Sequence, residues 1–256
     1  MSRSFEKKSQ ATKNLQFRLY FNKKYQSKDI HQWFQSQISI KRDHKILDVG
    51  CGTGKQSIYF QKKIDNSGKL FAFDKSKLSI KILNKKNKFK NNKFFSGDMN
   101  NIERINKKYL LDIKFDLIST VYSVYYAKKP LELIKFLIKK LDNKGRLVIF
   151  VPIKPNKIAS IAERFYKLPK KVNESLTIYK KIINFFKSKK YSFRVKYFRS
   201  KIKVTNINDV INFYKCTTFY RKEFEPKITS YIKKNFIKKA FIFKKDSCLI
   251  ILKNEN

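Results

Sequence analysis

With 256 residues, 42% of them hydrophobic, the chain can bury a full core without metal or disulfide support, and its three scattered cysteines fit neither a disulfide framework nor a zinc site. No stretch approaches the length of a membrane span, and Met1 to Lys8 lacks the apolar core of a secretory signal, so a cytoplasmic location is expected. The net charge of +42, from 61 Lys and Arg against 19 Asp and Glu, admits either a polyanionic partner such as RNA or a lysine-rich surface of AT-rich coding character.

Taken in chain order, residues 15 to 40 carry Phe17, Leu19, Tyr20, Phe21, Tyr25, Ile30, Trp33, Phe34 and Ile38 at mixed helical spacing, which predicts one or two helices. A strand over 45–49 follows, then a glycine turn, a helix from 53 to about 64, a strand over 69–73 and a helix over 77–88. Beyond a short Lys-Asn tract come strands over 93–96 and 115–120, a helix over 130–141 and a strand over 145–151. Past Pro152 the pattern predicts a helix near 175–189, a strand or hairpin within 191–204, short helices near 207–214 and 223–235, and a last strand over 248–252. Strands that alternate with amphipathic helices imply a parallel sheet joined by crossovers.

Three of the six glycines fall in Gly50-Cys51-Gly52-Thr53-Gly54, after Ile46-Leu47-Asp48-Val49. Such a turn between an apolar strand and a helix N-terminus directs backbone N–H groups at a ligand. Spacing separates the nucleotide-binding patterns. A dinucleotide turn G-x-G-x-x-G would need glycine at 55, where Lys55 stands; a phosphate-binding P-loop would need glycine at 49 and Ser or Thr at 56, where Val49 and Gln56 stand. The remaining pattern, acid-apolar-G-x-G-x-G, resembles the first motif of the class I S-adenosylmethionine-dependent methyltransferases. Lys69 to Asp74 ends in an acid twenty residues after Gly54, the offset at which a strand-tip carboxylate takes ribose hydroxyls. Phe94 to Met99 ends in the Gly97-Asp98 pair of the family's adenine segment.

The resemblance implies a Rossmann-like α/β fold with a seven-stranded, mostly parallel sheet, helices on both faces and a last antiparallel strand. One domain is expected, with a helical lid over residues 1–40, a cofactor core over 41–155, and a C-terminal part over 156–256 whose segment 204–236 is either a substrate cap or plain core. It implies S-adenosylmethionine as cofactor and no metal. Gly50, Gly52 and Gly54, with Cys51 as a small neighbour, would admit the donor; Asp48 would support its methionine amino end, Asp74 its ribose, and Asp98 with Met99 its adenine. Arg18 would meet its carboxylate, and Thr120 and Val121 at the end of the fourth strand would complete the site.

Methyl transfer from a sulfonium is an in-line displacement at an already activated carbon, so alignment and exclusion of water matter more than acid–base machinery. No catalytic residue is assigned. Tyr122, Tyr125 and Tyr126 are pocket candidates whose ring faces suit a cation, and His31 is a more distant one, whereas His44 falls at the entrance of the first strand. Tyr122 to Ala127 and the run Pro152-Ile153-Lys154-Pro155-Asn156 resemble small-molecule methylases grouped with quinone biosynthesis, so a small-molecule acceptor is expected. The alternatives are an RNA methyltransferase on the same core, a nicotinamide-dependent oxidoreductase, and a non-catalytic basic binding protein.

Overall fold

The structure, a computed structural model, describes residues 12–155, 157–236 and 240–255. Met1 to Lys8, the start of the expected lid and Asn156 lie outside the described residues. The described elements run α1 (Thr12–Tyr25), α2 (Ile30–Ser36), β1 (Lys45–Val49), α3 (Lys55–Lys63), β2 (Lys69–Asp74), α4 (Lys77–Asn84), β3 (Lys93–Ser96), α5 (Ile102–Ile105), β4 (Phe115–Val121), α6 (Pro130–Lys139), β5 (Leu141–Pro152), α7 (Lys157–Glu163), α8 (Lys170–Ser188), β6 (Phe193–Val204), α9 (Ile207–Lys215), α10 (Glu225–Lys234) and β7 (Phe241–Lys253). No described helix is long and apolar enough to cross a membrane.

Seven strands form one sheet in the order β3-β2-β1-β4-β5-β7-β6. Neighbours from β3 to β5 pair in parallel. The chain starts at β1, builds outward to β3 and then returns to lay β4 on the other side of β1, so the β1–β4 boundary is the switch point at which the flanking connections diverge. β7 runs antiparallel: its end meets the starts of β5 and β6, with Asn254 N–H donating to the Gly145 carbonyl (2.8 Å) and Lys253 N–H to that of Ser192 (3.1 Å). This is the fold that the glycine motif implied.

The residues group into two compact units. The second comprises 34–151, 178–196 and 248–255, and its core is the central sheet: Ile46, Leu47, Val49, Leu70, Ala72, Phe73, Leu117 and Ile118 are fully buried. Such continuous apolar runs are what a sheet covered on both faces requires. The first unit comprises 12–33, 152–177 (less 156) and 197–247 (less 237–239). There the fully buried Phe21 of α1 packs on Phe213 of α9 at 4.4 Å and Tyr25 at 5.2 Å between ring centroids, while Lys24 Nζ and Tyr25 Oη both donate to Asp209 Oδ2 (3.0 and 2.5 Å). The aromatic segment around 214–220 belongs to this core, because Tyr214 is fully buried and the Tyr166 hydroxyl donates to the Phe219 carbonyl.

Several elements depart from the sequence expectation. α4 stops at Asn84, four residues early, because Asn87 and Asn92 tie the following tract together: Asn92 Nδ2 donates to Asn87 Oδ1 and to Gln61 Oε1, each at 3.0 Å. Asn side chains compete with helical backbone bonds in this way. α5, with a 3₁₀ turn before it (Met99–Asn101) and a π turn after it (Asn106–Leu110), has too few residues to show a period. β5 starts at Leu141 and not at 145, its register with β4 jumping between Phe115 and Leu117 across an irregularity that contains Lys144 at φ +61°. α7 was not anticipated, and β7 is longer at its N-terminal side than the apolar run predicted.

Candidate active site

The carboxyl ends of β1, β2 and β4 meet at the glycine turn. Gly50, Gly52 and Gly54 all adopt left-handed backbone, with φ of +70°, +55° and +84°, a conformation costly for other residues. Gly50 also lacks room for a side chain, since an added Cβ would stand 2.5 Å from Ser123 Cβ and 3.2 Å from Met99 Cε. At Gly54 it would stand 2.3 Å from Leu83 Cδ1. The turn is strapped to β2 by Gly50 and Cys51 N–H groups donating to the Phe73 carbonyl (2.9 and 3.1 Å). It is strapped to β4 by Ser123 Oγ donating to the Val49 carbonyl (2.7 Å). Burial pushes the Cys51 thiol well above its ordinary range, with Asp48 and Asp74 adding to the shift, so the thiol stays neutral.

The three acids have different surroundings. Asp48 is buried on β1 and accepts the Ser57 hydroxyl at 2.6 Å, fastening the start of α3 to the strand. Burial pushes its carboxyl up to about 7, with the Ser57 hydroxyl opposing and Asp74 adding to the rise. Asp74, half-buried at the tip of β2, accepts Gly52 N–H on Oδ2 (2.8 Å) and Ser76 N–H on Oδ1 (2.9 Å). One bond per oxygen leaves acceptor capacity on both. Burial raises its pKa, and the Ser76 and Gly52 N–H groups restrain the rise. Asp98 accepts Asn100 N–H and Nδ2 on Oδ1 (3.0 and 2.8 Å) and pairs with Lys75 through Oδ2 (2.9 Å). Burial would raise Asp98, but these partners outweigh it and hold the carboxyl below its ordinary value.

The Asp48 shift has a defined sign in stability. A carboxyl that keeps its proton to about pH 7 in the fold, but loses it near 3.8 when unfolded, makes stability fall as pH rises from about 4 to about 7 and stay level above. Asp48→Asn removes this dependence. Wild-type stability relative to the variant is therefore expected to decline by a few kcal/mol across that window, measured by urea unfolding at each pH. Parallel curves for the two proteins would show that Asp48 is not buried as described.

Beyond β4 the chain makes a strained turn. Tyr122 sits at φ +54°, where a bulky residue costs on the order of 1–3 kcal/mol. Its N–H donates to the Phe150 carbonyl (2.8 Å) and its ring meets Phe150 edge-on at 5.3 Å. The next turn presents Tyr125 and Tyr126 with ring centroids 4.7 Å apart. Thr120 is fully buried, and its Oγ1 has no hydrogen-bond partner among the described residues; Val121 is half-buried at the strand's end. The second unit thus brings together every expected cofactor residue from Asp48 to Val121 and the three tyrosines. Arg18 and His31 belong to the first unit, Arg18 Nε donating to the Asn14 carbonyl of its own helix (3.3 Å) and His31 N–H to Asp29 Oδ1 (2.7 Å). Sequence reasoning missed Ser57, Lys75, Asn100 and Ser123, because a single polar residue carries no periodic or spacing pattern.

A family model described as "Methyltransferase domain" matches residues 40–201, more than half of the chain. The chain belongs to this family. It is an S-adenosylmethionine-dependent methyltransferase. Among curated proteins the methyltransferase is 36% identical over 47 residues to the "Probable cobalt-precorrin-6B C(15)-methyltransferase (decarboxylating)" of Saccharolobus solfataricus, a match spanning 18% of this chain and 24% of that one. Among solved structures it is similar in fold to a provisionally assigned methyltransferase of Bacillus halodurans C-125, with a TM-score of 0.61, 12% identity, and 90% of this chain and 100% of that chain covered. It is also similar to precorrin-6y C5,15-methyltransferase of Geobacter metallireducens GS-15, with a TM-score of 0.51, 12% identity and coverages of 88% and 87%.

Proposed function

We propose that this methyltransferase moves the methyl group of S-adenosylmethionine to a small-molecule acceptor at the carboxyl end of β4. The observation that carries the reading is the aromatic wall beyond that strand: Tyr122, fixed in left-handed backbone against Phe150, and the Tyr125–Tyr126 pair. The curated relative's name places its own reaction on a small molecule, a cobalt-precorrin, which supports the same class here.

When bound, the donor supplies a methyl group on a positively charged sulfur. Gly50 and Gly52 let the backbone approach its methionine and ribose parts, and the spare acceptor capacity of Asp74 suits a ribose diol. Met99, next to Gly50 and held in place by the Asp98 cap, frames the adenine side. Asp48, protonated up to about pH 7 and engaged with Ser57, acts by holding the strand–turn–helix junction, and a neutral group there avoids repelling the donor's carboxylate. Tyrosine faces favour a sulfonium by cation–π attraction and keep water from the acceptor. No residue in this set is required to take a proton, so orientation carries the catalysis.

The test supplies purified protein with methyl-labelled donor and fractionated cell extract. Label is expected in a small-molecule fraction and is expected to survive nuclease treatment. Label found chiefly in RNA would replace this reading with an RNA methyltransferase.

A further inference from the structure

The second unit contains a cavity of about 630 Å³ at the amino end of the sheet, the opposite end from the glycine turn. Among the described residues five cations line it, Lys41, Lys144, Arg146, Arg194 and Lys253, against one carboxylate, Asp116. They come from the loop before β1, the irregular start of β5, the start of β6 and the end of β7, and the sheet topology alone gathers them. Asp116 is already engaged, its Oδ2 accepting Lys45 N–H at 2.7 Å. Arg146 is half-buried; among the described residues its guanidinium makes one hydrogen bond, from Nη2 to the Ser39 carbonyl at 2.5 Å. Its pKa is lowered by burial first and by Arg194 second. Arg194, exposed at the start of β6, lines the same cavity and repels the half-buried Arg146, an arrangement that suits an anionic counter-charge.

We propose that this cavity binds a compact polyphosphate, free or carried on a nucleoside. The net charge of its lining, four positive with His44 neutral, matches a triphosphate and exceeds what one carboxylate or sulfate could neutralise. Burial holds His44 below its ordinary pKa, with Asp116 opposing. The forked guanidinium of Arg146 suits bidentate phosphate contact. Phe193 and Ile251 complete the lining with an apolar wall against which a base could lie. A concavity of this volume is in the size range of small-ligand sites, whereas a nucleic-acid backbone needs an extended groove.

The experiment titrates the protein calorimetrically with inorganic tripolyphosphate and with uridine triphosphate at 0.15 M salt. One site per chain is expected. Arg194→Ala with Lys253→Ala, both on exposed side chains, is expected to weaken binding by about tenfold or more, as loss of charge-assisted contacts implies. Lys107→Ala with Lys108→Ala, an equal charge change on the exposed turn after α5, is expected to leave it within about twofold. Tighter binding of the nucleotide assigns the apolar wall to a base, and equal binding assigns the site to the polyphosphate alone. Several weak sites per chain, equal losses in the two double variants, or no binding would overturn the proposal.

Discussion

Asp74→Ala is expected to weaken binding of S-adenosylmethionine by about 10- to 150-fold, or roughly 1.5–3 kcal/mol, the scale of losing charge-assisted hydrogen bonds. Two effects combine. The carboxylate is the half-buried acceptor at the tip of β2 with capacity left for hydroxyl groups, and it also fixes the turn by accepting Gly52 and Ser76 N–H groups. Asp74→Asn separates them, since the amide keeps one oxygen acceptor but loses the charge, and an intermediate loss is expected. Asp116→Ala is the control. Asp116 caps the entrance of β1 by accepting Lys45 N–H at the other end of the sheet, so donor binding is expected to stay within about twofold. Calorimetric titration of the three variants checks the series, and equal losses at 74 and 116 would mean that the donor binds at the other edge.

Gly50→Ala is expected to destabilise the protein by about 3 kcal/mol. A non-glycine residue at φ +70° costs about 1–2 kcal/mol, and a Cβ set 2.5 Å from Ser123 Cβ adds an overpacking cost of about 1–3 kcal/mol. For a chain of this size the melting temperature would fall by roughly 6–12 °C. The clash is specific, so Gly50→Ala and Ser123→Gly are expected to be non-additive, the second relieving part of the first even though it deletes the bond to the Val49 carbonyl. Thermal melts of both single variants and the double check this. Additive losses would mean that the turn and the end of β4 are not packed together as described.

The sequence carried these features because each rests on a local requirement with few chemical solutions. Left-handed backbone at 50, 52 and 54 favours glycine, and a parallel strand covered on both faces is largely apolar, so β1, β2 and β4 were legible, with Asp48 and Asp74 towards the ends of the first two. Asp74 was legible by offset. Its two backbone partners were not, because no side-chain pattern marks which N–H a carboxylate will accept. Tyr122 was legible as an aromatic at the right place, but its positive φ depends on how β4 ends against Phe150. The basic cavity was invisible for a different reason. Arg146 and Arg194 are far apart in the chain, lysine is abundant everywhere, and the arginines therefore read as scattered until β5, β7 and β6 brought their ends together. Short elements such as α5 and α7 escaped because seven residues or fewer give too little period to separate helix from loop.

The most direct test of the central assignment is a calorimetric titration of the wild-type chain with S-adenosylmethionine, its demethylated product and NAD in parallel. One site per chain for the donor and for its product, with no heat from NAD, is the predicted result. Binding of NAD with neither donor nor product bound would contradict it.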